Sequence, residues 1–123
     1  MKNILTCDIG GTDLKYGIIS LDGTFLFNSS EPTKAKEGGK AIISQIINFY
    51  LSLKKQYEIS GIAISSAGII DPNTTIVLDA TNAITDYIGL NIKEEINKFI
   101  DIPVSVENDV NCMALCEAFK GSG

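Results

Sequence analysis

At 123 residues, 45% hydrophobic and 20% charged, the chain is long enough to bury one core. A formal charge of -5 leaves no basic footprint, which argues against nucleic acid, and no apolar run approaches the roughly 20 residues of a membrane span. Three cysteines, an odd count, suit reduced cytoplasmic thiols rather than a disulfide framework; with no histidine, histidine-based metal sites and catalytic triads are excluded.

The first apolar run, Lys2 to Ile9, predicts a strand, and a second follows from Leu14 to Ser20. Between them lies Asp8-Ile9-Gly10-Gly11-Thr12-Asp13-Leu14-Lys15. A Gly-Gly pair between two runs of period two reads as a β-hairpin, because glycine accepts the positive φ of tight turns. Adjacent glycines leave backbone N–H groups bare, as a phosphate-binding nest requires. Thr12 adds a hydroxyl, Lys15 a cation, and Asp8 a carboxylate suited to a hydrated Mg²⁺. The same eight residues equally suit an ordinary hairpin with a polar tip.

Leu21-Asp22-Gly23-Thr24 predicts a turn into a third strand, Phe25 to Ser29, completing an antiparallel meander. The polar segment from Ser30 to Gly39 carries too little apolar surface for anything but a loop. Ile42, Ile46, Phe49, Tyr50 and Leu53 recur at helical spacing, widened by Ile43 and Ile47, and predict a helix from Lys40 to Lys55. Ile59 to Ser65 reads as a strand buried on both faces. After Ser66-Ala67-Gly68, the run from Ile69 to Leu78 folds as a small hairpin about Asp71-Pro72-Asn73, where proline presets the turn. Asp79 to Gly89 is irregular and polar, with Asn82 and Tyr87 as its notable side chains.

Asn91-Ile92-Lys93-Glu94 resembles a capping box and opens a helix with Ile92, Ile96, Phe99 and Ile100 on one face, stopped by Asp101-Ile102-Pro103. Val104 to Glu107 is the fifth main strand, and Asn108-Asp109 stands at its turn into a helix from Val110 to Lys120 that is apolar nearly all round. Within it, Cys112 and Cys116 read as small buried hydrophobes, and Cys7 alternates inward in the first strand. The end at Lys120-Gly121-Ser122-Gly123, just after a helical pattern, suggests a fragment.

Right-handed crossovers place the last two strands parallel to the first, giving a mixed five-stranded α/β sheet of order 3-2-1-4-5 with helices on both faces. The carboxyl ends of its parallel strands then gather three clusters: Asp8 with the glycine turn, Ser65-Ser66-Ala67-Gly68, and Glu107-Asn108-Asp109. Ligands of open α/β sheets bind at such an edge. By residue type alone, Asn108 or Asp109 most simply caps the last helix.

Asp8-Ile9-Gly10-Gly11-Thr12 with Lys15, Ser66-Ala67-Gly68-Ile69-Ile70-Asp71, and Pro103-Val104-Ser105-Val106-Glu107-Asn108-Asp109-Val110-Asn111 followed by Glu117 together resemble the ROK family. That family groups bacterial sugar kinases and sugar-responsive repressors on the actin-like ATPase (ribonuclease H-like) fold. The resemblance spans the chain and implies that residues 1–123 are an amino-terminal lobe. The second lobe, with most of the nucleotide pocket and a structural zinc motif, would then lie outside this chain. The resemblance assigns Asp109 as general base on the sugar hydroxyl, a role compatible with capping. It has Asn108, the backbone at Ala67-Gly68 and the Asn82 amide bind the sugar, while Ser66 suits a loop serine equally well and Glu117 reads as structural. Asp8, Gly10, Gly11, Thr12 and Lys15 would hold the ATP phosphates, Asp8 with Mg²⁺. Phosphoryl transfer asks mainly for positioning and charge stabilisation, with a carboxylate accepting the hydroxyl proton. An aspartate of ordinary pKa, ~3.9, is a weak base but fully ionised. Two departures stand out: no Trp lies near Asn82, and Val110 replaces the usual Ala.

The expectation is an ATP-dependent kinase for a hexose or N-acetylhexosamine, cytoplasmic, a homodimer or higher as the full-length protein, and inactive as this fragment. The alternative is a sugar-sensing regulator of the same family. Such repressors carry a winged-helix segment ahead of the first strand, for which a strand starting at Lys2 leaves no room, and often lose the glycines kept here as Gly10 and Gly11. A non-sugar ATPase of the wider superfamily is disfavoured by Glu107-Asn108-Asp109.

Overall fold

A computed structural model describes residues 2–66, 68–71, 73–79 and 84–108. Ala67, Asn82, Asp109 and the segment expected to form the last helix, with Cys112 and Cys116, lie outside the described residues, as does the side chain of Asn108.

Among the described residues, seven strands and two α-helices follow one another as β1 (Asn3–Ile9), β2 (Asp13–Ser20), β3 (Phe25–Pro32), α1 (Gly39–Leu53), β4 (Ile59–Ser66), β5 (Ile69–Ile70), β6 (Val77–Asp79), α2 (Ile92–Asn97) and β7 (Val104–Asn108), with a short 3₁₀ turn at Ala35–Glu37. The main sheet runs β3-β2-β1-β4-β7, and β5 pairs with β6 as a separate ribbon. This is the anticipated order, with β7 as the fifth main strand. β1 is antiparallel to β2 from Asn3↔Ser20 to Ile9↔Leu14, and parallel to β4 as far as Ile9↔Ser66.

Alternation divides the sheet cleanly. Leu5, Cys7 and Ile9 of β1, Leu14 and Ile18 of β2, and Ile62 and Ile64 of β4 share one core with Ile42, Ile46 and Phe49 of α1 and Ile92 and Ile96 of α2. Cys7 is a core residue, as anticipated. Tyr16 stacks flat on Phe49, ring centroids 3.7 Å apart, which joins β2 to α1. On the opposite face Ile4, Ile19 and Ala63 form a smaller buried cluster. Both described helices thus cover the same face. None is long and apolar enough to cross a membrane.

The structure corrects three boundaries. β3 continues to Pro32, because Ser30, Glu31 and Pro32 keep pairing with Lys15, Leu14 and Asp13. These residues are polar because the strand lies at the sheet edge, where Pro32, lacking an N–H of its own, is tolerated as the last residue. α1 begins at Gly39 and stops at Leu53 rather than Lys55. α2 is shorter than its apolar pattern suggests. Asn91 Oδ1 accepts the Glu94 N–H at 3.1 Å, as a cap should. Asn97 Nδ2 then donates to the carbonyls of Ile100 and Ile102, both at 2.9 Å, and folds the chain back. Phe99 is therefore 73% exposed instead of facing the core, whereas Ile100 and Ile102 are buried.

Gly17 sets how closely β2 and β3 approach. A Cβ there would lie 2.6 Å from the Phe27 carbonyl oxygen, a backbone atom with little room to move. We expect Gly17→Ala to destabilise the fold by about 1–3 kcal/mol, measured by urea denaturation; an unchanged midpoint would show that the strands separate freely.

Candidate functional site

Register decides what meets at the sheet edge. Ile9 pairs with Ser66, and Ser66 with Asn108, so the three parallel strands end level. Neighbouring strands lie about 4.8 Å apart, which puts the ends of β1 and β7 about 10 Å from each other. The next residues in sequence are Gly10, Ala67 and Asp109. Gly68 follows with φ at 97°, a conformation that glycine accepts readily.

The hairpin tip is more committed than its sequence suggests. Gly10 donates its N–H to the Asp13 carbonyl at 3.1 Å, so this amide is not bare, a correction to the pattern inferred from two adjacent glycines. A Cβ at Gly10 would meet that same oxygen at 2.9 Å, which explains the glycine sterically. The amides of Gly11 and Thr12 have no hydrogen-bond partner among the described residues. Two successive free N–H groups on an exposed turn are the minimum of an anion nest. They border a cleft of about 610 Å³ shared with Glu31, Thr33, Lys34 and Gln45, a size within the usual range of small-molecule sites.

Asp8 and Lys15 face elsewhere. They are cross-strand partners on the sheet face opposite α1 and line a separate hollow of about 170 Å³ with Thr6 and Asn28. Continuing across the sheet, Asp8 pairs with buried Ser65 and Ser65 with exposed Glu107, a row of alternating chemistry on one face. The structure therefore places Gly11 and Thr12 on one side of the hairpin and Asp8 and Lys15 on the other. No cluster of three metal-ligating side chains exists among the described residues. A single carboxylate such as Asp8 still fits Mg²⁺, which keeps several waters and takes its other ligands from substrate phosphates.

Ser66 ends β4 wholly buried, its hydroxyl hydrogen-bonded to that of Tyr87. Tyr87 itself is 2% exposed and belongs to the core, although it sits in a polar, irregular stretch. Burial pushes its phenol above the ordinary value, and the bond to Ser66 opposes that shift. The segment carrying Tyr87 docks on the start of α1, where Gly39 donates to the Thr85 carbonyl at 3.0 Å and Thr85 donates to that of Ala35 at 2.9 Å. No periodicity signals this docking. Thr33, which bonds to the hairpin, and Gln45, which bonds to the residues on either side of Thr33, also escape a reading by residue type, though a glutamine inside the apolar stripe of α1 is a visible irregularity.

Comparison with known proteins agrees with this architecture. The sequence profile of the ROK family matches residues 4–123. An uncharacterized protein of Clostridium perfringens is 41% identical over 116 residues, covering 94% of this chain. A beta-glucoside kinase of Listeria innocua is 32% identical over 120 residues, covering 98% of it. The chain spans 39% of the length of each of these curated relatives. Among solved structures, a ROK family glucokinase of Streptomyces griseus, in complex with glucose and AMPPNP, superposes with a TM-score of 0.77 at 26% identity. That match covers 89% of this chain and 34% of the glucokinase. The shared arrangement is the actin-like ATPase fold.

The raised Tyr87 pKa has a signed consequence. A phenol held protonated in the folded state stabilises it fully below the unfolded value, about pH 10, and that contribution is lost as the pH rises above it. We expect Tyr87→Phe to cost about 0.5–1.5 kcal/mol at neutral pH and to lose this alkaline component. Denaturation midpoints of both proteins between neutral and strongly alkaline pH check it; parallel profiles would count against a buried, titrating Tyr87.

Proposed function

This chain belongs to the ROK family, and we propose that it forms the amino-terminal lobe of an ATP-dependent kinase for a hexose or N-acetylhexosamine. The observation that carries this reading is the pair of amides at Gly11 and Thr12, unpartnered among the described residues, on an edge where three parallel strands end level. Sugar kinases among the relatives support it at the level of the family.

In this proposal the Gly11 and Thr12 amides bind phosphate oxygens of ATP, and Lys15 offsets their charge from the opposite side of the hairpin. Mg²⁺, held by Asp8 through its waters, would neutralise charge that develops on the phosphates. Asn108, the backbone at Ala67-Gly68 and the Asn82 amide orient the sugar. Asp109 accepts the proton of the attacking hydroxyl as its oxygen forms a bond to the γ-phosphorus and the bond to ADP breaks. Its place in sequence, one residue beyond the end of β7, suits that role because the hydroxyl must lie in line with the phosphoryl group held at the end of β1.

A coupled assay of the full-length protein tests the base. Asp109→Asn keeps size and capping ability but cannot take a proton, so kcat should fall on the order of 10²-fold or more with sugar affinity largely kept. Near-normal turnover would refute the assignment. Sugar binding by the unaltered protein without any turnover would favour the sugar-sensing regulator instead.

The hairpin has its own test. Gly11→Val should block close approach of the backbone to phosphate and weaken ATP binding without unfolding the domain. Unchanged nucleotide affinity by calorimetry would leave the hairpin as a plain turn.

A further inference from the structure

We propose that Gln45 and Thr33 are positioning residues for the phosphate hairpin, relaying the rigidity of α1 to its tip. This inference rests on the hairpin's proposed role in binding phosphate. It begins with a residue out of keeping with its surroundings. Along α1, positions 42, 46, 49 and 53 are apolar and buried, and Gln45 shares that face at only 4% exposure. A buried amide costs free energy unless its polar atoms are bonded. Here they are, and among the described residues their bonds go to one segment. Nε2 donates to Glu31 Oε1 at 2.7 Å and to the Pro32 carbonyl at 3.0 Å, while Oε1 accepts the Lys34 N–H at 3.0 Å. Lys34 N–H can only donate and the Pro32 carbonyl can only accept, so one orientation of the amide is consistent with the network.

Thr33 lies between the two residues whose backbones Gln45 holds. Its own N–H donates to the Thr12 carbonyl at 2.9 Å, and its hydroxyl donates to the Gly10 carbonyl at 2.8 Å. These two bonds span the glycine turn on its carbonyl side. Among the described residues, the N–H groups of Gly11 and Thr12 have no partner. The Gly10 carbonyl shares a peptide plane with the Gly11 N–H, so fixing the one fixes the direction of the other, and the bond to the Thr12 carbonyl ties down the far end of the turn. The chain of contact is therefore α1 to Gln45, to the backbone at Pro32 and Lys34, to Thr33, to the hairpin. An exposed turn rich in glycine is otherwise free to sample many conformations, and ordering it on ligand binding would cost affinity. The brace meets that cost in the fold. Gln45 and Thr33 also line the cleft that Gly11 and Thr12 border, so their effect is local to the proposed phosphate site.

The test uses the full-length protein and two kinds of measurement. Thr33→Val keeps shape but removes the bond to Gly10; Thr33→Ser retains it; Gln45→Met keeps length but removes all three amide bonds. Hydrogen exchange at the Gly10 amide, against that at Leu5 in the sheet centre, reports the brace without any assay of activity. Steady-state kinetics report the consequence. Thr33→Val and Gln45→Met should speed exchange at Gly10 but not at Leu5. They should raise KM for ATP about tenfold, with KM for the sugar nearly unchanged, and Thr33→Ser should restore both. Should Thr33→Val fail to fold, Gln45→Met and Thr33→Ser carry the same comparison. Unchanged exchange and unchanged KM for ATP would overturn the relay, and the phosphate reading would stand if Gly11→Val still weakened ATP. Faster exchange with no change in KM for ATP, in these variants and in Gly11→Val, would overturn the relay and the phosphate reading together. Equal rises in both KM values would also overturn it, as the mark of general loosening.

Discussion

β1 is hydrogen-bonded along both of its edges, antiparallel to β2 and parallel to β4, and both of its faces are buried for most of its length. Slipping either pairing by one residue would turn Leu5, Cys7 and Ile9 out of the core and Thr6 and Asp8 into it. The register is therefore held by the apolar free energy of a whole sheet face, not by any polar contact at the edge. Because Ile9, Ser66 and Asn108 are aligned as a by-product of that constraint, the groups that follow them in sequence share one level. The proposed chemistry uses an alignment that hydrophobic packing maintains.

The stabilising contacts between the helices point the same way. Glu95 of α2 sits 2.5 Å from Lys98 and 3.8 Å from Lys40 of α1. Lys98 lies within its own chain turn and Lys40 is largely exposed, so neither ion pair contributes much. What joins α1 to α2 is the shared core of Ile42, Ile46, Ile92 and Ile96.

Much of this was legible in the sequence because it rests on periodicity. The alternation of β1 and β2, the Ile42–Ile46–Phe49–Leu53 stripe and the Asn91 cap each follow from local rules, and the sheet order follows from handed crossovers. What escaped depends on contacts distant in sequence. Ser30-Glu31-Pro32 looks like loop because an edge strand needs no apolar side chains, and its pairing with β2 is invisible locally. Asn97 ends α2 through carbonyls that exist only once the chain has turned back. Tyr87 enters the core from a polar stretch, its ring packed in the apolar cluster and its hydroxyl bonded to that of buried Ser66. At the hairpin, the glycine pair marked the turn, but neither Gly10 nor Gly11 takes the positive φ expected of it, and the turn itself consumes the Gly10 amide.

The parallel pairings have a further consequence for how the chain is made. β1, β2 and β3 are joined by short turns and can zip together as soon as they leave the ribosome. The pairing of Leu5 with Ile62 must wait for α1 to be synthesised and for a long loop to close, a slow, entropically costly step. Until β4 arrives, one edge of β1 carries unpaired N–H and C=O groups beside Leu5, Cys7 and Ile9, an arrangement prone to pairing with another chain. The central strand, paired along both edges in the finished fold, is thus for a time during synthesis an exposed edge itself.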